Sequence, residues 1–372
     1  MAVVRAPPAC EMPGKGPATM DSVRFAVVGT SAIADSMIET LRADEGATYV
    51  GSMSRSAERA AGTTERWGGS QAFTSVDEIC ACNEVDAVYI ASPNAFHVDQ
   101  ALACIRAGKH MLVEKPIAPN AVQARMLFEA GREHGVVVME AMRSVHDPGM
   151  DVIVRAMERI GRVRRASLRF GKYSSRYDEV LAGRQTNIFD ARMASGSLMD
   201  IGVYCVEAMV YLFGAPDAVL CGSVPISTPM TAETGGLIDG AGTIVARYAD
   251  KVVELAYSKI STDLLPCQIE GELGTITYGG ASIPNHGTLW LRGAAATTAG
   301  YSAAQGENDV TEELVFEPCA NNMCYEVRDF VDIVHGGGDA TRYRDITLAS
   351  LDIMDEARRQ AGIVFPADTQ AS

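Results

Sequence analysis

Three residues carry the groups that a proton-coupled reaction would need. Asp200 and Tyr204 stand four positions apart in Ser195-Gly196-Ser197-Leu198-Met199-Asp200-Ile201-Gly202-Val203-Tyr204-Cys205. On a helix, residues four apart share one face. The neighbours Leu198, Met199, Ile201 and Val203 are apolar, so this helix is expected to be buried. A buried aspartate is costly unless a cation or hydrogen-bond donors meet it. Lys115, in Val113-Glu114-Lys115-Pro116, is a candidate partner. A free phenol ionises near pH ~10, too high for an efficient base at neutral pH. An ammonium beside Tyr204 would favour the phenolate and lower that value. The same residues also admit a structural reading: Asp200 as a helix cap, Tyr204 as core filler, Lys115 as an exposed lysine before a turn.

A glycine turn adds a second chemistry. Val27-Val28-Gly29-Thr30-Ser31-Ala32-Ile33-Ala34 follows the dinucleotide pattern G-x-G-x-x-G/A in its first glycine, Gly29, and its last small residue, Ala34. Ser31 replaces the middle glycine, which normally lets a pyrophosphate approach the backbone. Its hydroxyl could bond a phosphate oxygen. Gly29, Thr30, Ser31 and Ile33 are therefore candidate cofactor contacts, although the turn alone also fits a strand–helix connection with no ligand. About 25 residues on, the next strand ends at Met53-Ser54-Arg55-Ser56. An NAD site usually places an acid there for the ribose diol. Ser54 and Arg55 suit a 2′-phosphate instead. NADP is the expected cofactor, with NAD as the alternative. Arg55 also reads as a solvated arginine at a helix start.

These residues need elements to hold them. From residue 21 to about 142, short apolar strands (23–28, 49–53, 85–91, 110–113, 136–140) alternate with amphipathic helices. That pattern predicts a parallel sheet with right-handed crossovers. Ligands bind beyond the carboxyl ends of such strands. Glu114 and Lys115 lie there, as do Ser92 and Asn94 in Ser92-Pro93-Asn94. Asn94 and His97 would flank the nicotinamide ribose, or His97 would merely contact backbone at its helix start. Arg143, past the fifth strand, would face the crevice or pair with a surface acid. The second half changes character. Strands dominate (163–170, 242–248, 251–259, 268–272, 275–278, 288–291, 312–316), with a tight turn at Ala249-Asp250, and helices at 323–335 and 348–361 close the chain. The expected fold class is α/β followed by α+β. A dinucleotide-binding domain spans 21–145. A C-terminal domain, 146–372, carries an open, mainly antiparallel sheet with helices on one face. Arg176, Tyr177 and Asn187 fall in an irregular stretch and are candidate substrate-side residues. Residues 293–306, rich in small side chains, are expected to form a loop.

Composition narrows the function classes. The 372 residues exceed what one core usually organises, which agrees with two domains. A formal charge of −15 repels nucleic acid and anionic lipid. No apolar run reads as long enough to span a bilayer. Residues 1–20, rich in proline and glycine, lack the apolar stretch of a signal peptide and are expected to be a disordered lead-in, with Met20 an alternative start. Nine scattered cysteines without a CxxC pair point to reduced thiols in the cytoplasm, with no metal site.

Taken together, the Gly29 turn, Ala91-Ser92-Pro93-Asn94 with His97, Gly108-Lys109-His110, Glu114-Lys115-Pro116, Glu140-Ala141 and Met199-Asp200-Ile201-Gly202-Val203-Tyr204 resemble the Gfo/Idh/MocA family of oxidoreductases. The resemblance covers residues 23–362. It implies a Rossmann domain followed by an open antiparallel sheet used for homodimer or homotetramer contacts. It implies bound NAD(P) and hydride transfer to or from a carbon bearing a hydroxyl, with a sugar, polyol or diol as substrate. The family's catalytic lysine and aspartate map onto Lys115 and Asp200. Tyr204 stands where many members carry histidine, as in branches resembling dihydrodiol dehydrogenase, xylose dehydrogenase and glucose–fructose oxidoreductase, which often use NADP. The departures are Ser31 for glycine and Ser195 where a second glycine is usual. A catalytically quiet NAD(P)-binding regulator on the same fold is the alternative.

Overall fold

Strand β1 (Val23–Val28) is almost wholly buried, as a strand covered on both faces must be. It leads at Gly29 into helix α1 (Ala32–Ala43). Strands β2 (Ala47–Met53), β3 (Ala87–Ile90), β4 (His110–Glu114) and β5 (Val138–Ala141) complete a parallel sheet in the order β2-β1-β3-β4-β5. The strand order reverses between β1 and β3, so the crevice beyond their carboxyl ends is the natural ligand site. Gly29, Ser92 and Lys115 follow β1, β3 and β4 there. The computed structural model describes residues 22–226, 236–293 and 308–369. The expected lead-in and all but one residue of the 293–306 loop lie outside them.

The second sheet has eight strands: β6 (Val163–Gly171), β7 (Ala218–Ile226), β8 (Ile238–Arg247), β9 (Val252–Ser258), β10 (Cys267–Gly271), β11 (Gly274–Tyr278), β12 (Gly287–Leu291) and β13 (Val310–Glu313). Their order is β13-β12-β11-β10-β6-β9-β8-β7, antiparallel except for β6 beside β9. Gly222 and Pro225 hid β7 from the sequence reading. Proline is tolerated in it because β7 is an edge strand. One face packs on helices: Val206 and Met209 share a core with Ile244, Leu255, Ile269 and Ile276. The same element order leaves Leu220, Val245 and Val252 exposed.

One composition-based expectation is corrected. Residues Ala191–Phe213 do form a helical run long and apolar enough to cross a membrane, with a mean hydropathy of 1.4. Its window is 72% buried inside the protein, as the core element of the second domain. The run is made of short helical pieces, Ala191–Met193 and then residues 198–213, with a turn at Ala194 and Gly196 between them, which is why no single apolar stretch announced it.

The chain then returns to the first sheet. In the helix Met323–Val334, buried positions recur at 323, 326, 327, 330 and 331, the spacing of one helical stripe. Met323, Val327, Phe330 and Val331 join Phe25, Met37 and Leu41 in one core, with the Phe330 and Phe25 rings 5.6 Å apart. Each such side chain contributes roughly 1.5–3 kcal/mol on burial. The C-terminal helix Thr341–Ala361 straddles both sheets. Its Leu351 packs with the first domain, its Met354 and Ala357 with the second.

Candidate active site

Gly29 has φ +124°, in the region that favours glycine, and a Cβ there would sit 3.0 Å from the Ala91 carbonyl oxygen. The close approach draws the turn against the end of β3. Ser31 caps α1 without using its hydroxyl in the cap. A helix N-terminus with free N–H groups and a spare hydroxyl suits an anion. Beside it opens a cavity of about 470 Å³ lined by Gly29, Thr30, Ser31, Ser54, Arg55 and Arg59, and also by Ser92 and Asn187. The glycine cradle, the helix terminus and two guanidiniums together fit the phosphates of a dinucleotide. Arg59 was missed from the sequence, although it lies one turn beyond Arg55 at the start of helix α2 (Ala57–Arg66), where Ser56 accepts a hydrogen bond from its backbone.

A second cavity, about 310 Å³, adjoins the first through Ala91 and Ser92. Ile33, Asn94, Glu114, Lys115, Arg143, Asp200 and Tyr204 all face it. Lys115 follows β4, and its bond to Pro116 is cis. Its Nζ donates to the Asp200 backbone carbonyl at 2.5 Å, lies 3.3 Å from Asp200 Oδ1, and sits 4.9 Å from the Tyr204 ring centre. Lys259, from the end of β9, donates to the other carboxylate oxygen, Oδ2. Burial alone would raise the Asp200 carboxyl, but Lys115 and Lys259 reverse that and hold it down to about 2. Burial would lower the Lys115 ammonium. The acidic groups around it, Tyr204, Asp200 and Glu114, outweigh burial and hold it above its ordinary value.

Tyr204 corrects an expectation. Burial pushes its phenol up, and Lys115 opposes that only in part, so the net direction is upward. The free phenol is therefore held in its protonated form, suited to giving a proton more than to taking one.

The Asp200–Tyr204 segment is held by long-range contacts. It runs as a π-helical turn, Leu198–Gly202, into the α-helix Val203–Phe213. Gly196, at φ +114°, admits no side chain, because a Cβ would fall 2.3 Å from Asp239 Oδ1. Asp239 Oδ2 accepts the Leu198 N–H at 2.7 Å, and Asn94 donates to the Ala194 carbonyl at 2.8 Å. Asn94 thereby ties the end of β3 to the segment carrying Asp200.

Residues 23–142 match a family model described as the oxidoreductase family with an NAD-binding Rossmann fold, and residues 154–277 match the GFO/IDH/MocA C-terminal domain. The chain belongs to the GFO/IDH/MocA oxidoreductase family. The scyllo-inositol 2-dehydrogenase (NADP(+)) of Bacillus subtilis (strain 168) is 36% identical over 93% of this chain and 99% of its own length. Among solved structures, a 3-ketoreductase from Actinomadura kijaniata in complex with NADP and TDP-benzene superposes with a TM-score of 0.76 at 21% identity, over 91% of this chain and 98% of its own. An aldose-aldose oxidoreductase from Caulobacter crescentus does so with 0.75 at 19% identity, over 92% and 98%. At those identities the two structures share the fold.

Within this family fold, the remaining candidates divide. Arg143 faces the second cavity and donates through Nε to Asn322 Oδ1. Asn187 faces the first cavity, whereas Arg176 is exposed, and Tyr177 packs its ring on Phe189 and Tyr173. His97 faces neither cavity. Its ring is fully buried, with Nδ1 3.0 Å from the Pro116 carbonyl and Nε2 2.8 Å from the Ser92 carbonyl. Of the two expectations for His97, the structure shows the backbone contact in place of the contact with cofactor: His97 ties the Ser92 loop to the Lys115–Pro116 turn. Lys259 and Glu326 were missed. Each did leave a signal, a charged residue closing an apolar strand and a charged residue inside a helix's apolar stripe.

Proposed function

We propose that this oxidoreductase is an NADP-dependent dehydrogenase or reductase acting on a CH–OH or carbonyl carbon of a sugar, polyol or diol. The observation that carries the reading is the meeting of Lys115, Asp200 and Tyr204 on one wall of a cavity that adjoins the glycine-turn cradle. NADP is favoured by Arg55 and Arg59 beside the first cavity. A polyhydroxyl substrate is favoured by the polar wall and by the likeness to the inositol dehydrogenase.

A nicotinamide cofactor, when bound, would supply or accept the hydride. Tyr204 gives a proton to the carbonyl oxygen on reduction and takes it back on oxidation. Lys115 holds that oxygen and favours the phenolate when it forms. Asp200 holds Lys115, and Lys259 keeps Asp200 ionised. Thr30, Ser31 and the α1 terminus take the pyrophosphate, with Ser54 and Arg55 at the adenosine end. Ser92, Asn94, Glu114 and Arg143 line the nicotinamide end.

The acidic surface supports neither nucleic acid nor membrane as partner, the burial of Ala191–Phe213 in the core argues against its spanning a membrane, and the scattered cysteines support a cytoplasmic enzyme. The apolar exposure of Leu220, Val245 and Val252 supports a homodimer or homotetramer formed through the second sheet. The test is a panel of inositols, aldoses and dihydrodiols with both cofactors, followed by nicotinamide absorbance. Turnover with NADP is the expected result. Tight cofactor binding with no turnover across the panel would overturn this reading and favour the regulator.

A further inference from the structure

The cavity shared by Lys115 and Tyr204 has a wall that proton transfer does not use. Glu326 stands on it. The residue is 1% exposed, and its Oε2 has no hydrogen-bond partner. It occupies the apolar stripe of the helix Met323–Val334, yet it lines the cavity together with Ile33. A buried polar atom is normally paired, and one left unpaired costs free energy. A group arriving with a ligand would pair it.

We propose that Glu326 reads the carboxamide of the nicotinamide ring. The assignment rests on the nicotinamide end of the cofactor occupying this cavity. The carboxamide is attached next to the carbon that carries the hydride, so its partner must line the same cavity as Tyr204. Most other polar side chains on the wall are engaged. Lys115 and Asp200 hold each other, Arg143 donates to Asn322, Asn94 donates to Ala194, and Glu114 accepts from Tyr89.

The chemistry of the surroundings fits an amide. Burial pushes the Glu326 carboxyl well above the usual carboxylate range. The carboxyls of Glu114 on β4 and Glu140 on β5 push it the same way, and only the Arg143 guanidinium opposes them. Tyr89 and Tyr204, also near Glu114, bring no positive charge. A protonated carboxyl offers one O–H donor and one carbonyl acceptor. A primary amide offers one acceptor and one donor in the matching order. The pair closes a ring of two hydrogen bonds, which an ionised carboxylate could not complete.

The experiment is calorimetric titration of the full chain and its E326A and E326Q variants. The three ligands are NADP, its 3-acetylpyridine analogue, in which a methyl replaces the amide nitrogen, and 2′,5′-ADP, which lacks the ring. The expected result is that E326A weakens NADP binding about tenfold, the scale of one or two hydrogen bonds. E326Q, which keeps a donor and an acceptor, stays within about threefold of the parent. The analogue, which keeps its carbonyl acceptor but lacks the N–H donor, binds the parent more weakly than NADP and loses less than NADP does in E326A. 2′,5′-ADP binds all three alike. Parent-like NADP binding by E326A would overturn the contact. So would equal losses for NADP and the analogue, or a parallel loss of 2′,5′-ADP. Should E326A fail to fold, equal binding of NADP and the analogue by the parent chain overturns it as well. Failure of the parent to bind either dinucleotide would instead overturn the cofactor's place in the cavity, a distinct result.

Discussion

Lys259 donates to Oδ2 of Asp200, whose Oδ1 faces Lys115 at 3.3 Å. One carboxylate thus links an ammonium at the end of β4, in the first sheet, to one at the end of β9, in the second. The link fixes where the two domains meet at the point where chemistry is proposed. K259M keeps most of the side chain's length and removes the charge. It removes a charge-assisted hydrogen bond and should lower unfolding free energy by about 1.5–3 kcal/mol. It should also cut turnover while leaving NADP affinity near the parent value, because the cradle at Gly29 is untouched. Denaturant titration and steady-state kinetics check both. Unchanged stability and unchanged turnover would mean that the bridge does nothing.

The same carboxylate sets a pH dependence. Asp200 is held down to about 2 in the fold, against 3.8 ordinarily. Its contribution to stability is complete above the unfolded value and is lost as pH falls through about 2. By linkage the contribution is about 2 kcal/mol. D200N lacks it and leaves two lysines facing each other, so it should be less stable than the parent near neutrality. The gap should narrow as pH drops from about 4 towards 2. Urea midpoints measured across that range give the answer, and a constant gap would refute the assignment.

Tyr204 governs activity in the opposite pH region. Burial holds its phenol above the ordinary value, with Lys115 opposing. The proton is therefore in place for reduction through neutral pH and is lost only in the alkaline range. Reduction should be flat through neutrality and fall at high pH; oxidation, which needs the phenolate, should rise there. Y204F should flatten both limbs and cut turnover by roughly two to four decades while NADP still binds. K115A should do at least as much damage, since it removes charge and positioning together. Near-normal turnover of Y204F would rule out proton transfer through this hydroxyl.

What could be read from the sequence depended on how locally each residue is specified. Asp200 and Tyr204 are four apart on one helical run, so periodicity puts them on one face; strand polarity puts Lys115 at the crevice, and the family resemblance joined the three. The parallel sheet was legible because its strands are continuous apolar runs. Lys259 and Glu326 were not legible as site residues. Lys259 reaches Asp200 through the register of β9, and Glu326 reaches the second cavity through the packing of a helix almost 300 residues from β1. His97 stayed open between two roles because a helix start beside the crevice does not say which way a ring turns. Here two backbone carbonyls turn it inward. The upward direction at Tyr204 was hidden for a similar reason: charge proximity can be inferred from motifs, whereas depth of burial comes from the whole fold.

The choice between cofactors rests on residues the motif reading only half supplied. Arg55 follows β2, and Arg59 lies one turn on in α2; both line the cavity that holds the glycine turn. A 2′-phosphate meeting two guanidiniums gains charge-assisted hydrogen bonds that a 2′-hydroxyl cannot match. Losing one such contact costs about 1.5–3 kcal/mol, or roughly ten- to a hundredfold in affinity. R55A and R59A should each weaken NADP binding on that scale and leave NAD binding within a few-fold. The double variant should bind the two cofactors about equally. Because Arg55 and Arg59 would share one phosphate, their effects should fall short of additive. Titration of each variant with both dinucleotides tests this, and an equal loss for NAD and NADP would place the arginines on the pyrophosphate instead.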